Sequence, residues 1–218
     1  MLARIQLALA AALAGVAVVL AALLATGAGE EAPAPELGVG PSGFVGALRP
    51  DVPPQDFRLD DQDGRPVSLS DFRGQVVALT FLYSTCEDTC PITTSQIRGV
   101  LDDLGARVPV LAVSVDPAQD TPARARRFLL EQRMTGRMAF LLGSQRELAP
   151  VWSAYGIQPQ GRGKEVFDHS AYVLLIDRQG RQRIGHPVSQ LRPEGLAHDL
   201  RALQAEPRTP GSGAPATQ

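Results

Sequence analysis

The reactive residues of this sequence are its two cysteines, the only ones among 218 residues. Cys86 and Cys90 lie four positions apart, after the apolar run 76–83 and directly before Pro91. Three intervening residues let the two sulfurs meet, either as a disulfide or around one metal ion. The spacing therefore predicts a metal site or a reversible thiol–disulfide pair, with a static stabilising disulfide as the third interpretation.

The predicted elements on either side of the pair favour reactive thiols. Residues 76–83 form a continuous apolar run that predicts a buried strand, and 91–104 predict a helix with Pro91 at its first position. Binding sites in α/β sheets form at this edge, and a helix N-terminus stabilises a thiolate. Because Cys90 precedes a proline, we expect it to cap the helix, with Cys86 in the loop before it.

A third ligand would complete a metal site, and the sequence has three histidines. His169 comes just before the predicted strand 172–177, whose start faces the cysteine loop in a thioredoxin-like order of elements. His186 and His198 are interpreted as surface side chains. Two thiolates and one imidazole match copper(I) best, with copper(II) as a second option, whereas structural zinc usually takes four ligands.

The order of the predicted elements indicates one α/β domain. A hairpin precedes strand–helix–strand–helix segments, and a short strand, a helix, a second hairpin and a final helix follow. This is the order of a thioredoxin-like fold with an N-terminal β-hairpin and an inserted helix. The remaining elements are predicted over 57–60, 66–69, 108–115, 121–133, 138–142, 144–155, 181–185 and 193–205.

The N-terminus predicts a membrane anchor. Residues 7–25 carry no charged or strongly polar side chain, and a helix of this length spans a bilayer core of about 30 Å. A single transmembrane helix within 1–28 is therefore predicted, with a cleaved signal peptide as the alternative. Arg4 before the run and Glu30 after it place the remaining chain outside the cytoplasm.

Composition excludes several classes of protein. The net charge is −2, and no stripe of lysine or arginine is present, so nucleic-acid binding is not expected. No second long apolar run follows the first, which excludes a multi-span membrane protein. The chain is predicted to divide into an anchor (1–28), a linker (29–51), a thioredoxin-like domain (52–205) and a disordered tail (206–218).

Three sequence blocks, taken in order, resemble the Sco/SenC/PrrC family of membrane-anchored copper proteins with a thioredoxin-like fold. Residues 83–91 (YSTCEDTCP) are similar to the family's CxxxCP motif. Residues 114–122 are similar to its SVDP and DTP block, and 168–170 to its DHS motif. The resemblance covers about residues 52–205 and the anchor, although Glu87 stands where proline is common in the family.

The resemblance implies a ligand set. Cys86, Cys90 and His169 become the copper ligands, and the two cysteines also form a reversible disulfide that must be reduced before copper binds. Asp88 and Asp116 match family aspartates near the site that tune its charge or contact a partner. The alternative for Asp116 is a turn residue at a strand end.

The resemblance also implies a function and a location. It is that of a metallochaperone of the bacterial inner membrane, with its soluble domain in the periplasm. Such a protein delivers copper to the CuA centre of cytochrome c oxidase, and copper donors and thiol reductants of the periplasm are further partners. A thiol–disulfide oxidoreductase with Cys86 as nucleophile and a copper or redox sensor are the alternatives. The CxxxC spacing, in place of CxxC, favours metal binding over the oxidoreductase.

Overall fold

The computed structural model describes residues 6, 14–16, 37–49, 55–105, 107–157 and 171–207. The chain divides into two units, Met1–Glu36 and Leu37–Gln218. In the first unit, Gln6 and residues 14–16 are helical. Across the described ranges no helix is long and apolar enough to cross a membrane. The anchor predicted over 1–28 lies, apart from these four positions, outside the described residues.

A mixed sheet forms the centre of the second unit. Its strands run in the order β1-β8-β7-β4-β5-β6, and β2 and β3 form a separate antiparallel hairpin. The strands β4, β5 and β6 are parallel, whereas β7 and β8 run antiparallel to their neighbours. The predicted α/β class is therefore confirmed. The strands are β1 (Ala47–Leu48), β2 (Arg58–Asp60), β3 (Pro66–Ser68), β4 (Val77–Leu82), β5 (Val110–Ser114), β6 (Ala139–Leu141), β7 (Tyr172–Ile176) and β8 (Gln182–Pro187).

Four α-helices accompany these strands in the described part of the chain, and local signals set their ends. The Thr121 hydroxyl accepts the Arg124 N–H at 3.3 Å, and Ser144 begins the third helix through a capping box with Glu147. Gly156 ends that helix with a φ of 68°. The helices are α1 (Thr89–Leu104), α2 (Pro122–Glu131), α3 (Gln145–Tyr155) and α4 (Pro193–Ala205), and two 3-10 helices cover Leu69–Phe72 and Val188–Gln190.

Strand β4 lies at the centre of the core and is buried along its whole length. Strands β5 and β7 flank it, and this explains its continuous apolar sequence. The Tyr155 ring of α3 lies 5.7 Å from the Phe81 ring and 6.2 Å from the Phe57 ring. The core therefore holds the C-terminal end of β4, from which the cysteine loop leaves.

Strand β1 lies inside the segment that sequence analysis assigns to a linker. Ala47 and Leu48 pair with Gly185 and Ile184 of β8. The preceding N–H groups of Val45 and Gly46 each donate to the Asp199 carboxylate at 2.8 Å. A two-residue strand has no readable periodicity, so only its tertiary partners reveal it.

The interpretation of His186 as a surface side chain is wrong. His186 is 5% exposed, and its Nε2 lies 3.1 Å from the Asp199 carboxylate. His198 lies on the other side of the same carboxylate, with Nδ1 at 2.9 Å, and its side chain is one third exposed. The buried carboxylate of Asp199 compensates the burial of the imidazole, a relation that sequence spacing does not reveal.

Candidate metal centre

The cysteine loop connects the C-terminal end of β4 to the first turn of α1. The Cys86 N–H donates to the Tyr83 carbonyl at 3.3 Å, and the Cys90 N–H donates to the Cys86 sulfur at 3.3 Å. Helix α1 begins at Thr89 with Asp88 in the cap position, so the predicted cap position of Cys90 is wrong. Cys90 is the second residue of the helix, and Pro91 is tolerated directly after it because the first N–H groups of a helix need no helical partner.

The two thiols differ in exposure and in acidity. Cys86 is half-buried and Cys90 is fully buried, and neither forms a disulfide. The hydrogen bond from the Cys90 thiol outweighs burial and, with the Cys90 N–H and the Tyr83 side chain, lowers the pKa of Cys86 to about 6. Burial, reinforced by the hydrogen bond to Cys86, raises the pKa of Cys90. At neutral pH the pair is therefore one thiolate and one thiol in mutual contact.

A buried carboxylate connects the cysteine loop to β5. The Oδ1 of Asp120 accepts the Ser84 N–H at 2.7 Å and the Ser84 hydroxyl at 2.6 Å, and Oδ2 accepts the Ser114 hydroxyl at 2.5 Å. Burial raises the pKa of Asp120, although these hydrogen bonds oppose the shift. Sequence analysis missed this role. The sequence signal for this role is an aspartate directly before the helix cap Thr121, together with Ser84 and Ser114 near the ends of two adjacent strands.

The two predicted carboxylates, Asp88 and Asp116, lie on different segments, one in the cysteine loop and one after β5. Asp88 is exposed at the start of α1, and its carbonyl accepts the Ile92 N–H at 3.4 Å. Asp116 is half-buried after β5, where its carbonyl accepts the N–H groups of Gln119 and Asp120. Asp116 thus forms a turn at a strand end, and the roles of both side chains toward a metal or partner stay predictions.

The predicted third ligand, His169, lies outside the described residues. The strand that follows it, β7, starts beside the C-terminal half of β4: Thr80 pairs with Val173 and donates to the Tyr172 carbonyl at 3.1 Å. The start of β7 is therefore at the sheet edge from which the cysteine loop leaves. Among the described residues alone, no group of three or more Cys, His, Asp or Glu side chains is arranged to hold a metal.

A mixed sheet with two thiols between a central strand and the following helix defines a thioredoxin-like protein. The SCO1/SenC family matches residues 48–205, and the chain belongs to this family. The resemblance noted in the three sequence blocks is thereby confirmed, and so is the thioredoxin-like part of the predicted fold.

Individual relatives agree with this assignment. The mitochondrial SCO2 homologue of Bos taurus is 33% identical over 135 residues, which are 57% of this chain and 50% of that protein. A putative copper-binding protein of Stutzerimonas stutzeri is 28% identical over 152 residues, 66% of this chain and 73% of that protein. The chain thus spans half the length of the bovine relative that it matches. The structure of Bradyrhizobium japonicum ScoI with copper bound is 30% identical, with a TM-score of 0.58, and the match covers 69% of this chain and 98% of that one.

Proposed function

We propose that this protein is a copper metallochaperone that delivers copper to the CuA centre of cytochrome c oxidase. The observation that carries the proposal is the contact between the two cysteines, in which the Cys90 N–H lies 3.3 Å from the Cys86 sulfur and the two side chains share one site. Family membership and the copper-bound structure of the Bradyrhizobium relative support it. The proposed setting is the periplasmic face of the inner membrane, with residues 1–28 as the anchor.

The donor set fits copper as cargo. Soft thiolates favour copper(I), and a low coordination number suits two sulfurs and one imidazole. The proposed third ligand is His169 of the DHS motif, with copper(II) as a second state that uses the same residues. Binding must release the proton of Cys90, because only a thiolate coordinates the metal. Copper affinity is therefore expected to fall as the pH is lowered.

The unequal exposure of the two sulfurs indicates which copper ligand the recipient replaces first. Cys90 is inaccessible at the base of the loop, whereas Cys86 is half-exposed. An incoming thiolate of the recipient can therefore reach the copper on the Cys86 side and replace this ligand first. Asp88 and Asp116 are the proposed charged contacts for the recipient.

The acidity difference between the cysteines favours a second function, thiol–disulfide exchange. The Cys86 thiolate would attack a partner disulfide, form a mixed disulfide and release one partner thiolate. Cys90 would then lose its proton and attack the Cys86 sulfur, which releases the second partner thiolate. The partner gains two electrons, the Cys86–Cys90 disulfide forms, and an external thiol reductant must restore the pair.

A copper(I) competition titration of the full chain in detergent micelles, with a chromophoric chelator, tests the proposal. We expect one equivalent of copper for the wild type, none for Cys86→Ser/Cys90→Ser and weaker binding for His169→Ala. His198→Ala is the matched histidine control and is expected to bind like the wild type. Stoichiometric binding by the double cysteine variant would refute the ligand assignment.

Delivery and exchange need separate assays. Mixing the copper-loaded chain with the isolated apo CuA domain should produce the visible bands of CuA, and their absence would contradict the proposed recipient. Insulin reduction by the metal-free protein measures thiol–disulfide exchange. A rate equal to that of thioredoxin would make exchange the leading function.

A further inference from the structure

The geometry points to Asp120 as a positioning residue that sets the relative placement of the two thiols. Its carboxylate holds Ser84, two positions before Cys86, against the end of β5. One readout of the test rests on the proposed copper function, and the other does not.

The two thiols are held by different parts of the structure. Cys90 belongs to the first turn of α1 and is fully buried, so the helix and the core fix it. Cys86 lies in the loop, between the exposed residues Thr85 and Glu87. The backbone that leads to it is bound at Ser84, whose N–H and hydroxyl both donate to the same Asp120 oxygen. The position of Cys86 relative to Cys90 therefore depends on Asp120.

The Asp120 carboxylate is itself held by the core. Asp120 is 7% exposed, and its N–H donates to the Asp116 carbonyl at 2.8 Å. Its second oxygen binds Ser114, whose carbonyl accepts the Trp152 Nε1–H at 2.9 Å. Leu82 and Ser114 are paired residues at the ends of β4 and β5. The Asp120 carboxylate thus fixes the cysteine loop, through Ser84, relative to the ends of β4 and β5.

The bonding pattern distinguishes two substitutions. In Asp120→Asn one oxygen remains for Ser84, and the new amide can donate to the Ser114 hydroxyl, so the connection is kept. In Asp120→Ala the Ser84 N–H loses its partner and the loop is released. The Cys90 N–H contact to the Cys86 sulfur, which holds the two reduced residues together, is then weakened, and the reduced form loses stability relative to the disulfide.

Two measurements on the full chain in micelles test this inference. Asp120→Ala should weaken copper(I) binding by roughly 10-fold to 100-fold, the usual effect of losing a group that orients a metal ligand. In the metal-free protein the equilibrium with a glutathione buffer should move roughly tenfold toward the Cys86–Cys90 disulfide, which corresponds to about 30 mV. Asp120→Asn should restore most of both effects.

Asp177→Ala is the matched control. Asp177 is also buried, at 4% exposed, and it accepts the N–H groups of Gln179 and Arg181 in the β7–β8 turn. It follows Ile176, which pairs with Val77 at the opposite end of β4 from the cysteine loop. This variant should lower the melting temperature but leave copper affinity and the disulfide equilibrium unchanged.

The outcomes separate the alternatives. If Asp120→Ala loses stability as Asp177→Ala does but keeps both thiol properties, Asp120 is merely structural and the inference is overturned. If Asp120→Ala does not fold, Ser84→Ala, which removes only the hydroxyl contact, must shift the disulfide equilibrium in the same direction. Failure of the wild type to bind copper would refute the proposed function, and the disulfide equilibrium would still decide the role of Asp120.

Discussion

Replacing Asp199 by asparagine should destabilise the domain severely, although the two side chains have nearly the same shape. Asp199 is completely buried, with the Val45 N–H donating to Oδ1 and the Gly46 N–H to Oδ2, each at 2.8 Å. His198 and His186 lie on the same two oxygens, at 2.9 and 3.1 Å. Burial would raise the pKa of Asp199, but these hydrogen bonds outweigh it and lower the pKa.

The magnitude follows from the arrangement of donors. An asparagine has one oxygen, so its amide nitrogen must face the N–H of either Val45 or Gly46. The variant loses a hydrogen bond to a charged group, worth about 1.5–3 kcal/mol, and leaves a partly buried donor unpaired, at the lower end of about 1–3 kcal/mol. We therefore expect Asp199→Asn to lower the free energy of unfolding by about 3–5 kcal/mol. In a domain of this size the melting temperature would fall by roughly 6–20 °C.

Urea unfolding followed by tryptophan fluorescence measures this change directly. Trp152 is the only tryptophan of the chain and is buried in α3, so its emission reports unfolding of the core. The matched control is Asp103→Asn, which breaks an exposed ion pair with Arg201 and should cost less than about 1 kcal/mol. If both variants lose the same small amount, the carboxylate of Asp199 does not need both oxygens and the reasoning is wrong.

Three further predictions concern acidity and packing. The alkylation rate of metal-free Cys86 with iodoacetamide should rise with a midpoint near pH 6, and Cys90→Ala should move this midpoint upward because a hydrogen bond to the thiolate is lost. Gly46→Ala should lower the free energy of unfolding, measured in urea, by about 1–3 kcal/mol, since a Cβ there lies 2.5 Å from the Ile184 side chain and 2.8 Å from His186. Because the pKa of Asp199 is lower in the folded than in the unfolded protein, its contribution is fully present above about pH 3.9 and is lost as the pH falls through the lowered folded-state pKa, so the stability difference between wild type and Asp199→Asn should shrink in acid.

Features that depend on neighbouring residues were predictable from the sequence. The bounds of the last helix, Pro193–Ala205, are confirmed because Pro193 and the amphipathic pattern are local signals. The apolar run of β4 is confirmed for the same reason, and the helices predicted to start at 121 and 144 begin one residue later, after the caps Thr121 and Ser144. Placing the two cysteines where β4 leads into α1 required only the order of these elements.

Features that depend on distant residues were not predictable. Val45 and Asp199 are 154 residues apart in the chain, and Ser84 and Asp120 are 36 apart. Asp120 directly precedes a helix cap and Asp199 lies within α4, and in neither case does the local sequence reveal which distant donors the carboxylate will bind. The interpretation of His186 as a surface residue failed on the same ground, because burial of an imidazole depends on the carboxylate that meets it.

The ligand set is the central claim, and X-ray absorption at the copper edge tests it most directly. We predict that the copper(I)-loaded full chain shows two sulfur ligands and one imidazole nitrogen. The nitrogen shell should disappear in His169→Ala, whereas His198→Ala should leave the spectrum unchanged. A copper shell without sulfur, or one that is identical in Cys86→Ser/Cys90→Ser, would contradict copper binding by the two cysteines.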